Sequence, residues 1–182
     1  LLLEYIPHQR RATEPRYDNA WQAKVRSLGF RSTQQKVECM TVRPRRRVLY
    51  MPGSNARSLE KAATLPADAL ILDLEDAVAP EAKELARSQV CAAVKDRRFG
   101  KREIVIRVNG LDTPWGHDDM EQAAKAAPDA ILVPKVNDAA DVAHAHQHMA
   151  DAPASCALWL LMETPRAIFN ALEIAGSIFE RR

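Results

Sequence analysis

The sequence predicts an α/β fold built on a parallel β-sheet, because apolar runs of strand length alternate with stretches of helical periodicity along most of the chain. Five such strand–helix units follow one another after Met40. Tandem units of this kind require right-handed crossovers between parallel strands. The composition, 47% hydrophobic and 27% charged in 182 residues, is that of a folded globular domain.

The first two units have clear boundary signals. The run at 47–51 is stopped by a proline–glycine pair, and Ser54 is placed to cap the helix that follows. The run at 69–74 is nearly continuous in apolar residues, as expected of a strand covered on both faces. Pro80 stands where a first-turn proline opens the second helix.

The other three units repeat the pattern of an apolar run followed by a helical stretch. The predicted strands lie at 103–108, 130–133 and 157–162, and the predicted helices at 115–127, 138–149 and 165–175.

Two architectures accommodate five parallel units, an open doubly wound sheet and a closed (β/α)8 barrel. A dinucleotide-binding sheet carries a three-glycine turn after its first strand, whereas the segment 51–55 has one glycine. A barrel instead places reactive side chains at the carboxyl ends of several strands. Every unit has such residues, which favours the barrel: Asn55, Asp73, Glu75, Asp76, Arg107, Asn109, Lys135 and Glu163.

A complete barrel takes about 250 residues, so we expect the segment 40–182 to be its N-terminal portion, truncated after five units. Residues 1–47 hold 11 Lys or Arg and 4 Asp or Glu, whereas residues 48–182 hold 15 and 20. We interpret residues 1–39, which lack a sustained period, as a basic extension outside the core. Its acidic residues disfavour a transit peptide, and no aromatic platform supports a nucleic-acid arm.

Composition also excludes several functional classes. No apolar run approaches the roughly 18 residues that cross a bilayer, so we expect no membrane partner, and no nucleic-acid partner either. Three scattered cysteines argue against a disulfide framework or a zinc knuckle, which favours a reducing compartment, the cytoplasm. Cys91 and Cys156 have apolar neighbours and are predicted to be buried.

Arg107 and Glu163 are the strongest candidates for chemistry. Arg107 ends an apolar strand, where a guanidinium needs a carboxylate from a ligand or from the protein. Ligand binding and a structural ion pair with Asp73 or Glu75 are about equally favoured. Glu163 is either a charge favoured near a helix N-terminus or a ligand for Mg²⁺. Together, an arginine and a metal held by Glu163 suit the stabilisation of an enolate.

Two other features are interpreted as solvated surface. His144 and His148 share a helix face at a spacing of four residues, which makes them a possible metal pair. They lack the intervening glutamate of zinc-protease helices, so a solvated face is favoured. The basic run at 95–102 is predicted to be a solvated loop before the third strand.

Five short strings in this order are similar to those of a known family. They are Val-Leu-Tyr-Met-Pro-Gly-Ser-Asn at 48–55, Ile-Leu-Asp-Leu-Glu-Asp-Ala-Val at 71–78, Ile-Arg-Val-Asn at 106–109, Val-Pro-Lys-Val at 133–136 and Met-Glu-Thr-Pro at 162–165. Together they resemble the citrate lyase beta-subunit-like family of carbon–carbon lyases, of the HpcH/HpaI aldolase type, which includes malyl-CoA and β-methylmalyl-CoA lyases.

The resemblance implies a (β/α)8 barrel that uses Mg²⁺ to cleave or form a bond between an acyl-CoA enolate and a 2-oxo acid. By position, Arg107 corresponds to the arginine that binds the oxo-acid and enolate oxygens, and Glu163 to the first metal ligand. Glu75 and Asp76 border the same pocket. Asn55 lies in a loop near the coenzyme A thioester, and Arg57 and Lys61 are candidate phosphate partners.

The family's second metal ligand is an aspartate after the next strand, and we expect this chain to hold half of the site. The resemblance also implies a homo-oligomer. A malyl-CoA-type thioesterase, and a noncatalytic truncated module that associates with a full-length relative, remain open alternatives.

Overall fold

A computed structural model describes residues 2–5 and 45–179 of the chain. Within them, five parallel strands alternate with helices, which confirms the predicted fold class. The parallel strands are β2 (Val48–Pro52), β3 (Ala69–Asp73), β4 (Glu103–Arg107), β5 (Ala130–Val133) and β6 (Ala157–Leu161). They pair in chain order, so β3, β4 and β5 are flanked by strands on both sides.

Six α-helices and one short 3₁₀ turn connect or follow these strands within the described ranges. The helices are α1 (Ala56–Ala62), α2 (Lys83–Lys95), α3 (Gly116–Ala126), α4 (Ala139–Gln147), α5 (Pro165–Phe169) and α6 (Ala171–Phe179), and the 3₁₀ turn is Pro80–Ala82.

Two local details differ from the sequence-based prediction. The cap of α1 is Asn55 rather than Ser54, since the Asn55 side-chain oxygen accepts a hydrogen bond from the backbone N–H of Ser58 at 3.1 Å. The helix predicted at 165–175 is interrupted at Asn170, whose side chain donates to the carbonyl of Asn137 at 2.9 Å. Asparagine competes with helical backbone bonds in this way.

All six helices pack on one face of the sheet. Their buried residues join one apolar cluster with alternate strand residues such as Leu72 and Ile106. The other face carries a smaller cluster made only of strand side chains, including Val105, Leu132 and Trp159. A doubly wound sheet has helices on both faces, so this one-sided arrangement favours a barrel wall. Barrel closure stays a prediction.

A further strand, β1 (Leu2–Tyr5), pairs antiparallel with β6, from Leu2 opposite Leu161 to Tyr5 opposite Leu158. The pairing occupies backbone donors and acceptors that an edge strand otherwise leaves open. These four residues therefore depart from the expectation that residues 1–39 take no part in the core. The remainder of that segment and the boundary at Met40 lie outside the described residues, and the boundary stays a prediction.

All of the described residues belong to one compact unit. Cys91 and Cys156 are buried, as predicted, and burial raises the pKa of the Cys156 thiol to about 12. No helix within the described residues is long and apolar enough to cross a bilayer.

Candidate active site

Charged side chains from four strand ends meet at the carboxyl edge of the sheet. Because β3 and β4 are parallel, Asp73 and Arg107 are register partners at their last positions. Glu75 and Asp76 follow β3, Lys135 follows β5, and Glu163 follows β6. We call this group the strand-end cluster; it consists of Asp73, Glu75, Asp76, Arg107, Lys135 and Glu163.

Asp73 and Arg107 form a buried bidentate ion pair at the base of the cluster. The Arg107 Nε and Nη2 atoms donate to the two Asp73 carboxylate oxygens, each at 2.7 Å. Asp73 also accepts from the backbone N–H groups of Glu75 and Ala77, at 2.9 and 3.0 Å. The guanidinium carbon lies 4.9 Å from the ring centre of Tyr50. The sequence left open whether a ligand carboxylate or a protein carboxylate pairs with Arg107, and the structure contains the protein carboxylate, that of Asp73.

This pairing sets the charge states of both groups. Burial alone would raise the pKa of Asp73, but the hydrogen bonds from Arg107 and from the backbone outweigh it, so the pKa is lowered. Burial alone would lower the pKa of Arg107, but Asp73 and Glu75 raise it. Both side chains are ionised at neutral pH, and the guanidinium is fixed in place by two of its three nitrogens.

The third nitrogen of Arg107 faces the other acids. Its Nη1 atom lies 3.0 Å from Glu75 Oε2 and 3.7 Å from Asp76 Oδ2. The alignment with Glu75 is not that of a hydrogen bond, because Glu75 Oε2 is buried without a hydrogen-bond partner. Glu75 Oε1 is 2.5 Å from the ammonium of Lys135. Glu75 Oε2 is thus the buried polar atom of the cluster that lacks a hydrogen bond, and no hydrogen bond from Nη1 is described within residues 45–179.

Within the strand-end cluster, Lys135 links Glu163 to Glu75. Lys135 has a positive φ of 55°, an unusual conformation for a residue other than glycine. In this conformation its backbone N–H donates to Glu163 Oε1 at 3.1 Å, while its side chain reaches back to Glu75. The Glu75 carboxylate raises the pKa of Lys135. The Glu163 side chain is exposed, and its other oxygen has no hydrogen bond within the described residues.

The donor set of this cluster suits a hard divalent cation. Four carboxylates face two cationic side chains, which leaves a formal excess of two negative charges. Mg²⁺ takes one or two protein carboxylates and keeps its remaining positions for water or substrate oxygens. Glu163 Oε2, Glu75 Oε2 and the Asp76 carboxylate oxygens have no hydrogen bond within the described residues and are oxygens of the type that Mg²⁺ takes.

The loop after β2 supports the cluster from one side. The backbone N–H of Gly53 donates to the carbonyl of Asp73 at 2.8 Å. A Cβ at Gly53 would lie 2.7 Å from that carbonyl oxygen and 2.8 Å from Val90, so only glycine allows this approach. Asn55 uses its side-chain oxygen to cap α1 and makes no hydrogen bond to the cluster within the described ranges.

Arg57 and Lys61 lie exposed on α1. No described contact joins them to the strand-end cluster, so their assignment to coenzyme A phosphates stays a prediction.

A second polar network lies behind the cluster, and the sequence analysis missed most of it. The ammonium of Lys83 donates to the carbonyls of Leu74 and Glu75 and to Asn109 Oδ1, at 2.8, 2.7 and 2.7 Å. Asn109 Nδ2 in turn donates to Asp119 Oδ2 at 2.6 Å. Lys83 is only 6% exposed and Asp119 is fully buried.

This network fixes the backbone from which Glu75 projects. Asp119 also accepts from Arg87 Nε at 2.6 Å, which balances its buried charge. Burial lowers the pKa of Lys83, and Asp119 opposes that effect. In the sequence, Lys83 and Asp119 lie within helical stretches rich in charged residues, so only Asn109, at a strand end, carried a signal.

Comparisons with known proteins identify the family to which this chain belongs. Residues 46–180 match the model of the family described as HpcH/HpaI aldolase/citrate lyase. A protein named (3S)-malyl-CoA thioesterase from Cereibacter sphaeroides is 48% identical over 133 residues, which cover 73% of this chain and 45% of that protein. Citrate lyase subunit beta from Escherichia coli is 36% identical over 140 residues, which cover 73% and 46%.

Among solved structures, the protein CitE from Mycobacterium tuberculosis in complex with magnesium and pyruvate matches with a TM-score of 0.59 and 30% identity. The match covers 75% of this chain and 52% of that one. The chain thus spans about half the length of the relatives it matches. Since the family match extends over most of the described sheet and all of the strand-end cluster, the chain belongs to the HpcH/HpaI aldolase/citrate lyase family.

Proposed function

We propose that this chain carries part of the active site of a Mg²⁺-dependent carbon–carbon lyase. The substrate is a CoA ester of a 3-hydroxy acid, of the malyl-CoA, β-methylmalyl-CoA or citryl-CoA type. The products are an acyl-CoA and a 2-oxo acid. The observation that carries the proposal is the strand-end cluster. There a buried, oriented arginine and carboxylate oxygens without hydrogen bonds lie at one edge of the sheet.

Arg107 has the properties that an enolate-binding group needs. Two of its nitrogens are held by Asp73, so the guanidinium plane is fixed before any ligand arrives. Its Nη1 atom points toward Glu75 and Asp76, at the open edge of the cluster. In our proposal Nη1 binds the oxo-acid or enolate oxygen, and burial strengthens that interaction by excluding water.

Glu163 is the proposed metal ligand. By the family resemblance the second carboxylate ligand is an aspartate after the next strand, and Glu75 borders the same edge of the sheet. Bound Mg²⁺ supplies Lewis-acid polarisation of the substrate oxygens. Lys135 holds Glu163 through its backbone and Glu75 through its side chain, so it orients both carboxylates.

In the proposed cleavage, the 3-hydroxyl group loses its proton and its oxygen becomes the carbonyl of the 2-oxo acid. The bond between C3 and C2 breaks, and its electron pair moves to the thioester oxygen as an enolate. Protonation at C2 then yields the acyl-CoA. Glu75 and Asp76 border the pocket and are the candidate proton carriers, with Arg107 stabilising the enolate oxygen.

Two alternatives use the same fold. A thioesterase would direct water to the thioester carbonyl of malyl-CoA and release malate and free CoA, and the 48% identity to a protein of that name supports this alternative. A noncatalytic module would associate with a full-length relative. Association into a homo-oligomer and a cytoplasmic location belong to the proposal as well.

Two measurements test these assignments. Calorimetric titration of the 182-residue chain with Mg²⁺ and glyoxylate should give heat that is lost in Glu163→Gln and retained in Glu60→Gln, a matched change on exposed α1. Equal heats in wild type and Glu163→Gln would overturn the Glu163 assignment.

Product analysis then separates the reactions. Incubation of the chain with malyl-CoA should yield acetyl-CoA and glyoxylate if it is a lyase, or malate and free CoA if it is a thioesterase. Background levels of both product pairs would overturn the catalytic proposal for this chain and favour the noncatalytic module.

A further inference from the structure

Three histidine side chains converge on the helical side of the sheet, and the strand-end cluster includes none of them. His117 is the second residue of α3, His144 lies within α4, and His148 directly follows α4. Their ring centres are 4.7, 5.2 and 5.4 Å apart. One ring nitrogen from each residue lies within 4.8 Å of one from each of the others. We call these residues the histidine triad.

Helix geometry and the order of the units explain this convergence. His144 and His148 are four residues apart, so they lie on the same face of α4 and its C-terminal turn. His117 belongs to the helix of the preceding unit. It lies near the other two histidines because successive helices lie on the same face of the sheet. The sequence indicated the pair on α4, but it gave no signal for the third imidazole.

The triad is not part of the apolar core. His117 and His144 are exposed and His148 is half-buried, so packing alone does not account for their contact. Three protonated imidazoles at this separation would repel one another. Burial, followed by the proximity of His117 and His144, lowers the pKa of His148. The neutral form of His148, which has a lone pair available for a metal, is therefore favoured near pH 7.

We propose that His117, His144 and His148 bind a divalent transition-metal ion of borderline hardness, with Zn²⁺ as the representative ion. Three imidazoles supply three ligands, and a water molecule occupies the fourth position of a tetrahedral site. Zn–N bonds of about 2.0–2.1 Å in tetrahedral geometry require nitrogens about 3.3 Å apart, so the widest pair must close by about 1.5 Å. Rotation of the exposed His117 and His144 side chains supplies that movement.

This site differs chemically from the one proposed for Mg²⁺. Imidazole nitrogens favour Zn²⁺, Ni²⁺ and Cu²⁺, whereas Mg²⁺ prefers carboxylate and water oxygens. A bound ion would join α3 to α4 and thereby two successive strand–helix units. Since an ion that binds only the folded state stabilises it by mass action, the proposal includes a metal-dependent rise in melting temperature.

The test is a Zn²⁺ titration of metal-free chain near neutral pH, followed by calorimetry and by thermal unfolding. We expect about one equivalent of Zn²⁺ to bind, and the binding to persist in excess Mg²⁺ and in Glu163→Gln. His117→Ala and His144→Ala should each weaken Zn²⁺ affinity by about tenfold or more, since each removes one of three ligands. Both residues are exposed, so the variants should fold normally.

His146→Ala is the matched control, because it removes an imidazole from the same helix outside the triad. It should retain wild-type Zn²⁺ affinity and the wild-type shift in melting temperature. Absence of Zn²⁺ heat in the wild type would overturn the proposal. Unchanged affinity in His117→Ala and His144→Ala would do so too, because the metal would then be bound elsewhere. The Glu163→Gln arm keeps these outcomes separate from a failure of the lyase proposal.

Discussion

Asp73 and Arg107 are adjacent in register on neighbouring parallel strands, and their side chains close a two-point ion pair at the last position of each strand. Asp73 is fully buried and Arg107 is 8% exposed. The opposite charges of a buried pair neutralise each other, which reduces the cost of burying them. Hydrogen bonds from two backbone N–H groups stabilise the Asp73 carboxylate further. The pair therefore links the stability of the sheet to the orientation of the guanidinium.

Asp73→Asn should lower the free energy of unfolding by about 3 kcal/mol, because it removes the carboxylate that binds two nitrogens of the buried Arg107 guanidinium and leaves it only the ion pairs of Nη1 with Glu75 and Asp76. Urea unfolding followed by circular dichroism measures the change. Asp96→Asn is the matched control, since Asp96 pairs with Arg98 at the surface and both side chains are about half exposed. It should unfold like the wild type. Equal midpoints in wild type and Asp73→Asn would contradict the structural role of the pair.

The pH dependence of stability follows from the same pair. The pKa of Asp73 is lowered in the folded state, so the folded chain holds fewer protons on this group than the unfolded chain does. Its contribution is complete above the ordinary carboxyl pKa of about 3.9 and is lost as pH falls through the lowered value. Below about pH 4, wild-type stability should fall more steeply than that of Asp73→Asn. The free energy of unfolding, measured by urea titration at several pH values in that range, tests this. The same pH dependence in both proteins would contradict the assignment to Asp73.

Gly53→Ala should destabilise the chain by about 1–3 kcal/mol, because a Cβ there overlaps the carbonyl of Asp73 and a methyl group of Val90. Differential scanning calorimetry measures this as a lower melting temperature. Gly176→Ala is the control: nothing lies within 4 Å of a Cβ at that position of α6, and alanine favours helix. It should raise the melting temperature or leave it unchanged. The same decrease in both variants would mean that the close approach at Gly53 is not responsible.

The sheet was predictable because its strands are specified locally. Strands β3 and β5 are buried at every position, so continuous apolar runs marked them within a residue of their bounds. The charged residues that follow such runs must meet at one edge of a parallel sheet. The sequence alone therefore predicts that Asp73, Arg107 and Glu163 lie near one another.

Contacts between distant segments were not predictable in this way. Strand β1 is defined by its pairing with β6 rather than by a period of its own, and the burial of Lys83 depends on Asn109, which is 26 residues away. His117 joins His144 only because α3 and α4 pack on the same face. In each case the residue that makes the contact belongs to another segment of the chain, so the local sequence pattern does not predict the contact.

Lys83→Met should reduce stability by about 3 kcal/mol although it keeps the length and much of the volume of the side chain. It leaves Asn109 Oδ1 without the donor it has in the wild type, and it removes one of the two donors to each of the Leu74 and Glu75 carbonyls. These carbonyls still accept from Asn109 Nδ2 at 2.9 Å and from a backbone N–H at 3.0 Å, respectively. Lys95→Met, at the exposed end of the same helix, is the control and should have little effect. Hydrogen exchange should also report faster exchange of the amides after β3. Wild-type stability in Lys83→Met would show that the ammonium is dispensable to this network.

Lys135→Met should strengthen Mg²⁺ binding by about two- to fivefold if the strand-end cluster is the cation site. The substitution removes an ammonium that lies 2.5 Å from Glu75 Oε1 and 3.7 Å from Asp76, so the carboxylates lose a competing positive charge. Methionine is unbranched like lysine, and the backbone donor to Glu163 is retained. Lys125→Met, which breaks a surface pair with Glu121, is the control and should leave Mg²⁺ affinity unchanged. Calorimetric titration at low ionic strength measures both, since salt screens exposed charges. Weaker Mg²⁺ binding in Lys135→Met would instead mean that the lysine side chain positions Glu75 for the ion, and unchanged binding would place the ion away from this cluster.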